Sequence, residues 1–164
     1  MKIYVLDANF FIQAHRFYYP FDVFKSFWTK IKSLANENKI ISIDKVKDEI
    51  YRNEDSLTEW CVANLPDGFF KSSDDCINSY STVVNWANSM NSQYTPRALN
   101  EFLEADIADP WLVAYGHKNN CTVITYEKMN WQKKSKVFIP EACEHLEVLC
   151  FDTIAMLREL GEEI

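Results

Sequence analysis

The stretch Ile3-Tyr4-Val5-Leu6-Asp7-Ala8-Asn9 decides the fold. An unbroken apolar run ended by a carboxylate reads as a strand buried on both faces that delivers an acid to the end of a sheet. Residues 2–7 are therefore expected as the first strand. A short helical segment follows over 10–17, and Tyr18-Tyr19-Pro20 breaks it. From Asp22 to Asn38, Phe24, Phe27, Trp28, Ile31 and Leu34 recur at helical spacing, so these aromatics are expected in the core.

Outward from that opening the same alternation continues. Ile40-Ile41-Ser42-Ile43, Phe69-Phe70, the run 121–125 and the run 148–151 read as further strands. Helical patterns fall at 45–53 behind Asp44 as a cap, at 56–64, at 74–90 and from Pro96 to about Ala105. Others fall at 109–118 with Pro110 in first position, in a short segment from Pro140, and at 152–160 ending at Gly161. This order predicts an α/β fold with a central parallel sheet of four to five strands, covered on both faces. No repeat or linker interrupts it, and residues 1–164 read as one domain.

Composition narrows the function classes. With 48% hydrophobic and 25% charged residues, the 164-residue chain suits a globular domain with a sizeable core. The 24 Asp and Glu against 17 Lys and Arg give a net charge of −7. That argues against broad nonspecific binding of nucleic acid, whose affinity comes from cations on phosphates. An acidic site that holds a metal would contribute to the same deficit. The five cysteines are odd in number and form no C-x-x-C pair. Lys2 leads straight into the run that ends at Asp7, so no signal peptide is expected, and no apolar stretch is long enough to cross a bilayer. A cytoplasmic protein with free thiols follows as the expectation.

Four acids stand at seams of this pattern: Asp7, Glu49, Asp109 and Glu127. A parallel sheet gathers its strand ends at one edge, where ligands bind. Carboxylates gathered there repel one another unless a positive charge sits among them. A hard divalent cation, Mg²⁺ or Mn²⁺, is the simplest candidate. Such an ion polarises a phosphoryl oxygen and makes water acidic enough to attack near neutral pH. Each acid also has a plainer role available. Asp7 could cap a turn, Asp109 could be an N-cap before Pro110, Glu49 could lie on an exposed helix face, and Glu127 could be an ordinary loop acid. Asp106, three residues before Asp109, would share its face if both were helical, as a further ligand, or would cap an earlier turn.

Lys128, Lys133, Lys134 and Lys136 surround Trp131 just after Glu127. A basic loop with an aromatic can hold single-stranded nucleic acid, although a solvated charged loop has the same composition. Arg16 suits a phosphate, because its fork matches phosphate oxygens. Its neighbour His15 reads rather as a residue hydrogen-bonded within the fold, and His117 and His145 as surface residues.

The ordered set Leu6-Asp7-Ala8-Asn9, Glu49, Asp109-Pro110-Trp111-Leu112-Val113-Ala114-Tyr115 and Val123-Ile124-Thr125-Tyr126-Glu127 resembles PIN domains. More narrowly, Gln13-Ala14-His15-Arg16-Phe17-Tyr18-Tyr19-Pro20, Ile139-Pro140-Glu141-Ala142-Cys143 and Met156-Leu157-Arg158-Glu159-Leu160-Gly161 resemble a PIN-like subfamily of unknown function. The resemblance covers nearly the whole chain. It implies a three-layer α/β/α fold and metal-dependent cleavage of RNA, often by toxins of VapC type blocked by a protein antitoxin. It is also compatible with a homodimer. By position it makes Asp7, Glu49 and Asp109 metal-binding acids, with Asn9 orienting Asp7. Thr125 and Glu127 fall at a fourth position, where many PIN domains carry Thr-x-Asp.

A metal-dependent endoribonuclease acting as a toxin is thus the leading expectation. An Asp7-nucleophile phosphatase is a weaker one, since Asn9 stands where such enzymes commonly carry a second Asp. A noncatalytic binding module on the same scaffold is the remaining alternative.

Overall fold

Tyr4, Val5 and Leu6 are all buried, and β1 (Tyr4–Leu6) is the middle strand of the sheet. The computed structural model describes residues 1–164. The other strands are β2 (Ile40–Ile43), β3 (Phe70–Lys71), β4 (Thr122–Ile124) and β5 (Cys150–Phe151). They pair in parallel throughout, in the order β3-β2-β1-β4-β5. Helices α1 (Ala8–Gln13), α2 (Lys25–Asn36), α3 (Asp44–Tyr51), α4 (Ser56–Asn64), α5 (Ile77–Ser89), α6 (Pro96–Phe102), α7 (Ala108–Asn119), α8 (Ile139–His145) and α9 (Thr153–Leu160) flank it. The result is a three-layer α/β/α fold with a five-stranded parallel sheet.

Strand order explains where a site can form. From β1 the chain moves to β2 and β3 on one side, then crosses to β4 and β5 on the other. Connections leave β1 and β4 in opposite directions, and a crevice opens at their carboxyl ends. Register fixes its floor: Tyr4, Val5 and Leu6 lie opposite Thr122, Val123 and Ile124. The next residue of β1 is Asp7, whose backbone N–H donates to the Ile124 carbonyl at 3.0 Å.

Helix α7 is held close to the sheet at Gly116. A Cβ there would stand 3.0 Å from both Val123 Cγ2 and Val148 Cγ1, and 3.3 Å from the Cys121 carbonyl oxygen. This close approach packs the later turns of α7 against β4, while Asp109 in its first turn lies near Asp7 at the crevice. Its far end closes at Asn120 in the left-handed conformation, a position that Asn tolerates.

Several boundaries differ from the expectation. The first helix starts at Ala8, not residue 10, and gives way to a π-helical turn over Ala14–Tyr18. In that turn Tyr19 N–H donates to the Ala14 carbonyl at 2.7 Å. Phe27 and Trp28 are buried as expected, but Phe24 precedes the first residue of α2 and is 40% exposed. Helical phase therefore does not carry it to the core. Pro110 follows Ala108 and Asp109 rather than opening α7; it still lies in the first turn, where a backbone N–H has no intrahelical partner. No helix is long and apolar enough to cross a membrane.

Candidate functional site

Asp7 is 1% exposed, at the end of the middle strand. Thr125, just past the end of β4, donates its hydroxyl to Asp7 Oδ2 at 2.8 Å. The same hydroxyl accepts the Glu127 N–H at 3.1 Å. Thr125 therefore fixes one carboxylate oxygen and the turn that carries Glu127. The other oxygen, Asp7 Oδ1, is buried without a hydrogen-bond partner. A buried carboxylate oxygen left unpaired is costly. Burial and the charges of Glu127 and Glu49 push the Asp7 carboxyl up to about 7, against the Thr125 bond and the nearby Asn9 amide. Asn9 itself lines the groove beside Glu127. Thr125 holds one oxygen of the Asp7 carboxylate, and the backbone amide of Asn9, the residue to which the resemblance gives the orienting role, also favours its charged form.

Asp109 lies in the first turn of α7, but Ile107 holds the N-cap position and no side chain caps there. The plainer reading of Asp109 as a cap is thus removed. Glu49 on α3 takes that duty across the chain, since its Oε1 accepts the Ala108 N–H at 3.1 Å. Asp109 faces a small cleft of about 160 Å³ with Ile107, Phe102 and Lys136. Burial, then the charges of Asp7, Glu127 and Glu49, hold its carboxyl well above the ordinary range, with Lys136 opposing them. Glu49 is also raised, by burial first and by Asp106 as a lesser cause, against the Ala108 bond and Arg52.

Glu127 is no ordinary loop acid. Its side chain is 6% exposed, and Lys136 Nζ lies 2.6 Å from Oε1. The Ile139 N–H, at the start of α8, donates to Oε2 at 2.8 Å. Both oxygens are therefore engaged. Burial works against the Lys136 charge, but the Glu127 bond and the charges of Glu127, Asp109 and Asp7 outweigh it and raise the ammonium.

The four acids thus come together at the crevice, whereas Asp106 stays at its exposed rim, near Glu49 alone. Since α7 begins at Ala108, Asp106 and Asp109 share no helical face. The exposed Asp106 side chain pairs instead with Arg52 at 3.5 Å. No group of three or more His, Cys, Asp and Glu side chains is set in a ready coordination cage. Asp7, Glu49 and Glu127 each accept from a local donor, and mutual repulsion favours that arrangement. The oxygens left for a hard cation are Asp7 Oδ1, the Asp109 carboxylate and Glu49 Oε2. This all-oxygen set suits Mg²⁺ or Mn²⁺, and the unpaired Asp7 Oδ1 is the atom such an ion would satisfy.

Beside the acids runs a groove of about 450 Å³, lined among others by Asn9, Gln13, Tyr126, Lys128 and Lys136. Tyr18 from the π-helical turn stacks on Tyr126, with centroids 4.8 Å apart and planes at 27°. Arg16 is exposed on the same turn. Trp131 and Lys133 are exposed farther along the loop and do not line the groove. His15 meets Ser56 Oγ at 3.2 Å through Nε2, in keeping with a role inside the fold.

Two residues of this region are hidden in the sequence. Lys136 reads as one more lysine of a basic run, although the apolar Val137-Phe138-Ile139 behind it marks it as the one nearest the core. Fully buried Glu141 braces the loop by accepting the Phe138 N–H at 2.7 Å and the Asn130 N–H at 3.3 Å. Its signal is its place one residue after Pro140, in the first turn of a helix.

A family model described as Domain of unknown function (DUF4411) matches residues 4–164. No curated protein and no solved structure matches.

Proposed function

The chain belongs to this DUF4411 family, and from the geometry of its acids we propose that it is a metal-dependent endoribonuclease of PIN-like type. One observation carries the reading: the buried, unpaired Asp7 Oδ1 at the β1/β4 crevice, among Asp109 and Glu49. Thr125 and the Asn9 amide offset only part of the burial of this carboxylate, and a cation at Oδ1 would offset the rest. When bound, Mg²⁺ or Mn²⁺ supplies charge neutralisation at a phosphoryl oxygen and activation of water. The chain's own residues hold the ion and the strand. Asp7, Asp109 and Glu49 bind the ion, and Thr125 keeps Asp7 in place. Glu127 acts through Lys136 and α8 rather than as a direct ligand.

The groove suits single-stranded RNA. Tyr18 on Tyr126 offers a face for a base, and Arg16 and Lys128 meet phosphates. Trp131 and Lys133 would contact a longer strand beyond the groove. The toxin role and its antitoxin rest on the resemblance alone. A small DNA-binding protein encoded in the neighbouring reading frame would support them.

The test is direct. The purified chain should cut single-stranded RNA with added Mg²⁺ or Mn²⁺, stop in EDTA, and lose cleavage as Asp7→Asn. Turnover of small phosphate esters with phosphate trapped on Asp7 would instead identify a phosphatase. A folded chain with neither activity nor ion uptake would be a binding module.

A further inference from the structure

Lys136 is the one residue that lines both the cleft at Asp109 and the groove at Glu127. Its ammonium, half-buried, is 2.6 Å from Glu127 Oε1. Of the other cations nearby, Arg52 is exposed and turned to Asp106, and Lys128 is exposed at the groove. We infer that Lys136 is a tethered cation that takes the place of a second divalent ion, so that the centre binds one Mg²⁺ or Mn²⁺ per chain. This rests on the metal-dependent reading above and adds the number of ions and the reason for it.

Two-ion sites bridge ions about 3.5–4 Å apart with carboxylates that have oxygens to spare. Here most of those oxygens already accept a hydrogen bond, which leaves each fewer lone pairs to share with a second ion. Glu127 gives one to Lys136 and one to the Ile139 N–H. Asp7 gives Oδ2 to Thr125, and Glu49 gives Oε1 to Ala108. What remains is one oxygen of Asp7, the Asp109 carboxylate and one oxygen of Glu49. That set serves a single ion that keeps several waters. A second ion would have to displace Lys136 from Glu127 and stand beside its ammonium in a partly desolvated site, where repulsion between like charges is strong. The ammonium is itself held in place, with Nζ 4.9 Å from the centroid of the Phe138 ring.

Counting bound Mn²⁺ by electron paramagnetic resonance, with calorimetry alongside, tests this at pH 8. The wild-type chain should take one ion. K136Q, which removes the charge and keeps a polar stem, should take a second, weaker ion at Glu127, whereas K136R should still take one. Two ions on the wild-type chain would overturn the inference and leave the metal reading intact. No ion on the wild-type chain would overturn both. A folded K136Q with a single ion would remove Lys136 from the role. K136M, which keeps an unbranched side chain of similar length without the charge, repeats the count if the glutamine variant does not fold.

Discussion

Burial and the Glu127 charge hold the Asp7 carboxyl up to about 7, against an ordinary value near 4. The direction has a defined consequence for stability. The folded state binds this proton more tightly than the unfolded chain does. The contribution is thus complete below the unfolded value and is lost as pH rises through about 7. Each unit of separation is worth about 1.4 kcal/mol. In EDTA the thermal midpoint of the wild-type chain should therefore fall between pH 5 and pH 8. Asp7→Asn, which carries no charge, should flatten that decline. Divalent ions should reverse it, and their affinity should rise over the same window with release of protons. Calorimetry in buffers of different ionisation enthalpy reads both, and an affinity constant from pH 5 to 8 would contradict the account. The sequence makes Asp7 visible, because an acid at the end of an apolar run is an anomaly that demands a reason. It hides the pairing of Glu127 with Lys136, since eight residues of loop lie between them and only the folded turn brings them together.

The first turn of α7 owes its order to a side chain from α3. Glu49 reaches the Ala108 N–H from a distant part of the sequence, so Asp109 is relieved of capping. Glu49→Ala should lower stability by about 1 kcal/mol in urea denaturation with EDTA present, the usual cost of a lost cap. Glu49→Gln keeps an acceptor and should lose less, while both variants lose ion affinity. Lower on the same helix, Gly116→Ala sets two effects against each other. Helix propensity favours alanine by up to about 1 kcal/mol, but overpacking costs about 1–3 kcal/mol. Val123 and Val148 are stiff, and the Cys121 carbonyl is backbone, so overpacking wins and the midpoint should drop. Periodicity reveals α7 readily but not its cap, because local propensity at Asp109-Pro110 points to the wrong residue. It places Phe24 in the core for a similar reason: spacing gives phase, and the helix start has to be known before phase means burial.

The net charge of −7 and the acidic crevice bear on the molecule as a whole. On the proposed reading, the field of the ion-free chain would oppose RNA, and a bound divalent ion would make the crevice the favourable place on that surface. RNA affinity of a cleavage-deficient Glu49→Gln chain that still takes up Mn²⁺ at saturating concentration should be about tenfold weaker in EDTA at matched ionic strength, an electrostatic difference read by fluorescence anisotropy. Equal affinity in both conditions would place the RNA elsewhere on the surface. The α/β class and the parallel sheet are legible from alternating patterns alone, and five strands fall close to their expected positions. Strand order is not legible, because β1 pairs with β2 and β4 through register and crossover geometry that no single run encodes.

Both margins of that sheet are two residues long: Phe70–Lys71 at one side and Cys150–Phe151 at the other. A margin so short offers almost no unpaired amide ladder for a stranger's chain to copy. The sheet therefore resists runaway stacking of molecule on molecule. Extension of the sheet by another protein gains little at edges this short.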